Sequence, residues 1–67
     1  MINRVRELRK SRGWTQDQCG DFLKVSRQTI NSIENGRFEP SLTLALKIAI
    51  VFGEPVEDIF FLTEEPA

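Results

Sequence analysis

The sequence predicts an all-α fold: one domain over residues 1–67, built as a compact bundle of five short helices. Three observations predict it. No strand-like alternation of apolar and polar residues persists anywhere in the chain. Helix start and stop signals recur, with Thr15 and Ser26 as N-caps and Gly13, Gly36 and Gly53 where helices would end. The stretch VSRQTINSIENG, residues 25–36, puts Val25, Ile30 and Ile33 on one side of a helix and Arg27, Gln28, Asn31, Ser32 and Asn35 on the other.

The first helix is expected from about Asn3 to Arg12, where Val5 and Leu8, with Ile2 before them, make a narrow apolar stripe among basic residues. The second starts at Thr15. TQDQ reads as a capping box in which Thr15 caps and Gln18 reaches back, with Trp14 stapled onto Cys19. It is expected to end near Leu23. The third starts at Ser26, with Val25 and Ile30 in the staple positions and Gly36 as the stop. Only a three- or four-residue turn around Leu23-Lys24-Val25 fits between the second and third. Two short helices joined so tightly make a helix-turn-helix, over about residues 15–35, crossing at roughly 90–120°. The fourth follows Pro40 and Ser41 and runs to Phe52, with Gly53 behind it. The fifth starts at Pro55, a residue suited to a first helical position, and Glu57 and Asp58 favour the positive end of its dipole. It is expected to end near Phe61, and FFLTEEPA reads as adding a short extended tail with frayed last residues.

A chain of this size buries only about 60% of the surface it exposes when unfolded, so stability must come from good helix packing or from self-association. One cysteine rules out an internal disulfide, and with no histidine a zinc site of the usual type is not expected; no cofactor is implied. No apolar run approaches the roughly 20 residues of a membrane span, and nothing reads as a signal peptide. A cytoplasmic protein with no membrane partner is expected. Net charge is −1, but the distribution is uneven. Up to Arg37 there are eight basic residues against four acids, and beyond it Lys47 alone against six acids. That split fits a basic surface that meets a polyanion and an acidic end that does not; it also fits ordinary solvated helices.

The segments LRKSRGWTQ, VSRQTINSIENGRFEPSLTLALKIA and VEDIF, in that order, resemble the DNA-binding domain of the Xre family, the lambdoid phage repressor and Cro type. The resemblance covers nearly the whole chain and is nearest to small stand-alone regulators with no separate ligand domain. It implies a lambda repressor-like bundle of four or five helices that binds operator DNA as a homodimer. The chain departs from the family at Cys19-Gly20, where a Leu-Ala pair is usual, and at Lys24, where the turn usually has glycine. Gly20 within a helix costs about 1 kcal/mol against alanine, although it keeps a small residue where two helices cross. A left-handed Lys24 is strained by about 1–2 kcal/mol.

In a helix-turn-helix the second helix enters the major groove and its N-terminal residues reach base edges. Arg27 and Gln28 stand at that start, with Asn31 and Ser32 one turn on. Arg pairs in bidentate fashion with guanine, and Gln or Asn with adenine. The resemblance also implies base contacts at Arg27, Gln28 and Ser32. Gln16, Thr29, Asn35 and Arg37 are the expected phosphate contacts, Gln16 at a helix N-terminus and Asn35 and Arg37 just past the third helix. Glu34 falls one turn from Ile30 on the core side, where a carboxylate needs a partner, and Arg9 is the natural one. In the family such a pair ties the first helix to the recognition helix. Cys19 reads as a small buried hydrophobe rather than a redox sensor, and Trp14 as packing rather than a stacking platform.

Residues 42–52, LTLALKIAIVF, are apolar on nearly every face. One stripe, such as Leu42, Ala45, Ile48, Ala49 and Phe52, would suffice for a core. Leu44, Ile50 and Val51, with Ile59, Phe60, Phe61 and Leu62, are then left as a dimer interface within about residues 42–63. The alternative is that the fifth helix and tail cover them. The function expected is a sequence-specific transcriptional regulator, a repressor on an inverted-repeat operator in double-stranded DNA, bound through the helix at 26–35. An antitoxin or a protein-interaction module on the same fold is the competing reading. An enzyme is not expected, since the chain has no histidine or tyrosine and no nucleophile set beside a base. No small-molecule ligand is evident.

Overall fold

The two ends of the described chain meet. In the computed structural model, which describes residues 1–62, Ile2–Asn3 (β1) pairs antiparallel with Phe60–Phe61 (β2), Ile2 opposite Phe61 and Asn3 opposite Phe60. Between them lie four α-helices, Val5–Ser11 (α1), Gln16–Leu23 (α2), Arg27–Glu34 (α3) and Leu42–Phe52 (α4), and a single 3-10 turn, Val56–Asp58. Of the expected extended tail, residues 60–67, the first two form β2, and the part beyond Leu62 lies outside the described residues. None of the described helices is long and apolar enough to cross a membrane.

Two expectations are corrected here. The first helix begins at Val5 rather than Asn3, because Asn3 is drawn into the ladder and its side chain is used locally. Its Oδ1 accepts from the Val5 backbone N–H (3.1 Å), and its Nδ2 donates to the Ile33 carbonyl (2.8 Å). The fifth helix is only the 3-10 turn, so the bundle has four α-helices, not five. Pro55 is extended (ψ 149°), Asp58 and Ile59 donate back three residues, and the chain then leaves to pair with β1.

The interior helix ends follow the local chemistry. Thr15 Oγ1 accepts from Gln18 N–H (3.0 Å) while Gln18 Oε1 accepts from Thr15 N–H (2.8 Å), a complete capping box. Ser26 caps α3 through Thr29 N–H and Ser41 caps α4 through Leu44 N–H. Lys24 closes α2 at φ +62°, and is the one non-glycine residue with positive φ among the described residues.

Val5, Leu8, Cys19, Leu23, Ile30, Ile33, Ile48, Phe52 and Ile59 form the core. Trp14 sits between Phe22 and Phe52, with ring centroids at 4.7 and 5.7 Å, and the Arg12 guanidinium lies over both Trp14 and Phe52. Leu42 does not join the core stripe assigned to it; it is 73% exposed at the first turn of α4, ahead of the buried Ala45. Ile59, expected at a dimer interface, is fully buried in the single chain because the 3-10 turn points it inward.

The joint between α2 and α3 depends on Gly20. A Cβ there would stand 2.6 Å from the Val25 carbonyl oxygen, a main-chain atom that cannot simply swing aside. Gly20→Ala gains about 1 kcal/mol of helix propensity but overpacks the turn at about 2 kcal/mol. A net loss of about 1 kcal/mol in urea unfolding is expected; a gain would show that the turn yields freely.

Candidate nucleic-acid interface

The outer face of α3 is set by what its inner face buries. Ile30 and Ile33 are fully buried, which turns Arg27, Gln28 and Asn31 to solvent and leaves Thr29 and Ser32 half-buried beside them. Two shallow concavities lie on this side, one between α2 and α3 and one between α3 and the loop after it. Gln16, Arg27, Gln28 and Asn31 line one; Ser26, Gln28, Thr29, Ser32 and Phe38 line the other. All four residues assigned to base contact thus border one or the other.

The residues assigned to phosphate are less uniform. Gln16 is turned inward: its Nε2 donates to Glu34 Oε1 and to Asn31 Oδ1, each at 3.2 Å. The Thr29 hydroxyl is 2.9 Å from that of Ser26. Asn35 Oδ1 accepts from Arg6 Nη2 at 2.7 Å, which leaves its amide nitrogen to donate outward. Arg37 is exposed, and its backbone N–H, with that of Phe38, closes on the Ser32 carbonyl.

Beneath this face lies a buried acid. The Glu34 side chain is wholly inaccessible. Arg9 grips it with Nε–Oε2 at 2.7 Å and Nη2–Oε1 at 3.2 Å, while Arg9 Nη1 donates to the Trp14 carbonyl. Arg6 Nε adds a third donor at 3.2 Å. Burial pushes the Glu34 carboxyl up, but hydrogen bonds from Arg9, Gln16 and Arg6 outweigh it and hold the group below its ordinary value. The same hydrogen bonding raises Arg9. Cys19 is fully buried, and burial pushes its thiol up, the reverse of what a reactive thiolate requires.

Three features escape sequence reading. Phe38 is half-exposed on the rim of the second concavity, and an aromatic in an otherwise polar loop was the signal for it. Asp17, on the first turn of α2, stands 4.0 Å from Arg27, both of them solvated, so an acid does border the outer face of α3. The arginines of the N-terminal segment are largely occupied. Arg4 pairs with Glu7 and Glu54, Arg6 with Glu34 and Asn35, and Arg12 donates to the Leu8 and Phe52 carbonyls.

Of the residues assigned to a dimer interface, Leu44, Val51 and Phe60 pack partly against the core, whereas Ile50 (80%) and Leu62 (82%) are open and Phe61 is partly so. Leu42, Leu46 and Ile50, spaced four apart on α4, form one exposed apolar stripe.

Comparison with known proteins gives a consistent picture. A helix-turn-helix family pattern matches residues 5–59. The chain is 48% identical over 65 residues to the uncharacterized HTH-type transcriptional regulator YgzD of Bacillus subtilis (strain 168), covering 97% of this chain and 98% of that one. It is 42% identical over 60 residues to a competence pilus inhibition repressor of Acinetobacter baylyi, covering 90% of this chain and 54% of the repressor. Among solved structures, the restriction-modification controller protein C.AhdI from Aeromonas hydrophila superposes with a TM-score of 0.77 at 28% identity, over 85% of this chain and 86% of the controller.

Proposed function

The chain belongs to the Xre-type helix-turn-helix family of transcriptional regulators, and on that premise we propose that it is a repressor that reads an inverted-repeat operator as a homodimer. The observation that carries the reading is the outward face of α3. Arg27, Gln28 and Asn31 are exposed together on a helix narrow enough for the major groove. Ser32 and Thr29 border the same face, the exposed Asn35 and Arg37 follow at the end of α3 as phosphate contacts, and Gln16, held inward by Glu34 and Asn31, supports the face from behind. The repressor name of the Acinetobacter relative supports the direction of regulation.

The dimer is supported by the Leu42-Leu46-Ile50 stripe, which the described residues leave open on the longest of their helices. A two-fold axis through that stripe would set two copies of α3 about one turn of DNA apart, roughly 34 Å. The protein acts by binding, with no catalytic step.

Gel shifts at fixed salt test the reading, because phosphate contacts weaken steeply as salt rises. Arg27→Ala and Gln28→Ala are each expected to cut discrimination between selected and scrambled duplex about tenfold, with folding intact. Equal affinity of the wild type for every duplex would end the proposal.

A further inference from the structure

We propose that Phe38 reads the 5-methyl group of a thymine, as an apolar wall set beside the polar outer face of α3. The inference rests on the DNA-reading role proposed above for α3.

Phe38 is an aromatic side chain that the core does not use. It stands outside the buried cluster and outside the stack of Trp14 with Phe22 and Phe52, and nearly half of it is exposed. A lone exposed apolar residue needs no explanation of its own; what matters here is where this one is held. Gly36, at φ +74°, turns the chain back after α3. The backbone N–H groups of Arg37 and Phe38 then both donate to the Ser32 carbonyl, at 2.9 and 3.3 Å. The loop is thereby tied to the helix, and Phe38 lines one concavity together with Ser26, Gln28, Thr29 and Ser32.

The chemistry of that rim is mixed. Ser26 Oγ accepts from the Thr29 backbone N–H and lies 2.9 Å from the Thr29 hydroxyl, so these two hydroxyls already serve each other. Gln28 and Ser32 bring donors and acceptors, Thr29 brings a methyl group and Phe38 a ring. In the major groove thymine alone among the bases carries an apolar group, its C5-methyl, beside the O4 acceptor. Threonine methyls and phenylalanine rings are the kind of partner that group takes. A rim with polar and apolar parts side by side thus matches a thymine edge, with Gln28 or Ser32 donating to O4 and Phe38 and Thr29 covering the methyl. Cytosine has only a C–H where the methyl would be, and gains less from the ring.

The test isolates the methyl group. Selection from random duplex DNA at fixed salt gives the preferred site, and its thymines are then replaced one at a time by deoxyuridine, which lacks only that methyl. At one thymine position the wild type should bind the uracil duplex about fourfold more weakly, the effect of burying one methyl group. Phe38→Ala should bind the thymine and uracil duplexes equally there, with its melting unchanged because the ring lies outside the core. Phe38→Leu, still apolar, should keep the difference. A selected site without thymine, or a wild type indifferent to uracil at every position, overturns the proposal with no variant involved. A uracil effect of the same size in Phe38→Ala overturns it too, and leaves the ring to the sugar–phosphate backbone or to a protein contact. A wild type that enriches no sequence at all overturns the DNA-reading role first, so the two failures are told apart.

Discussion

Arg9→Met should cost about 3–4 kcal/mol of folding stability, the largest loss expected from any polar substitution in this chain. The Glu34 side chain is inaccessible, and Arg9 supplies two of the four hydrogen bonds that compensate its desolvation. Removing the guanidinium leaves a charged group in the interior with only Gln16 and Arg6 to serve it. A domain of this size has a total stability of only about 3–10 kcal/mol. The melting temperature should therefore drop by roughly 15 °C or more, and the variant can be largely unfolded at ambient temperature. The double variant Arg9→Met/Glu34→Leu should recover most of the loss, since an apolar pair of similar shape replaces a buried ion pair at little cost. A single variant within about 1 kcal/mol of the wild type would show that the pair is dispensable.

The same carboxylate gives a pH dependence with a definite sign. Its folded pKa lies below the ordinary value of 4.5, so its contribution is fully present above that value and is lost as the pH falls through the folded pKa. Stability of the wild type should fall on acidification below about pH 4.5, and Glu34→Gln should flatten that part of the curve.

Ile59→Ala should cost about 3 kcal/mol, whereas Ile50→Ala should leave the fold within about 0.5 kcal/mol of the wild type. The two isoleucines occupy equivalent-looking positions in an apolar C-terminal half, but Ile59 is fully buried and Ile50 is 80% exposed. Deleting methyl groups from the first opens a cavity in the core, while the second borders solvent in the single chain. Unfolding must be followed across protein concentration, because self-association stabilises a folded chain by mass action. The Ile50→Ala deficit should vanish on dilution and the Ile59→Ala deficit should persist. An Ile59→Ala protein as stable as the wild type would remove Ile59 from the list of fold-determining residues.

The difference between these two residues marks where the sequence stopped being legible. The capping box of Thr15 and Gln18 and the Ser26 cap are short-range chemistry and read directly from spacing, whereas a left-handed Lys24 was suggested only by the family resemblance, which usually has glycine at that turn. The outward set on α3 follows from the helical period once Ile30 and Ile33 are taken as inward. A two-residue strand has no period to detect, so β1 went unread and β2 was read only as the start of an extended tail, and the ladder that cut short the fifth helix was missed. On α4 nearly every position is apolar, so the stripe that turned Ala45, Ile48 and Phe52 inward took Leu42 with them, although Leu42 faces out. The bonds from Gln16 to Asn31 and Glu34, and from Arg6 to Asn35, depend on how the helices cross, which spacing along one chain does not encode.

Where α2 meets α3, main chain rests on main chain: the Val25 carbonyl occupies space that any Cβ on Gly20 would claim. Such a seam has no long side chain to bend and nothing to serve as a pivot. The outward-facing rod is thus carried like a chisel in a fixed handle. A descendant could be given a new cutting edge by exchanging its exposed tips, while the handle, its tilt and its overhang stayed as they are.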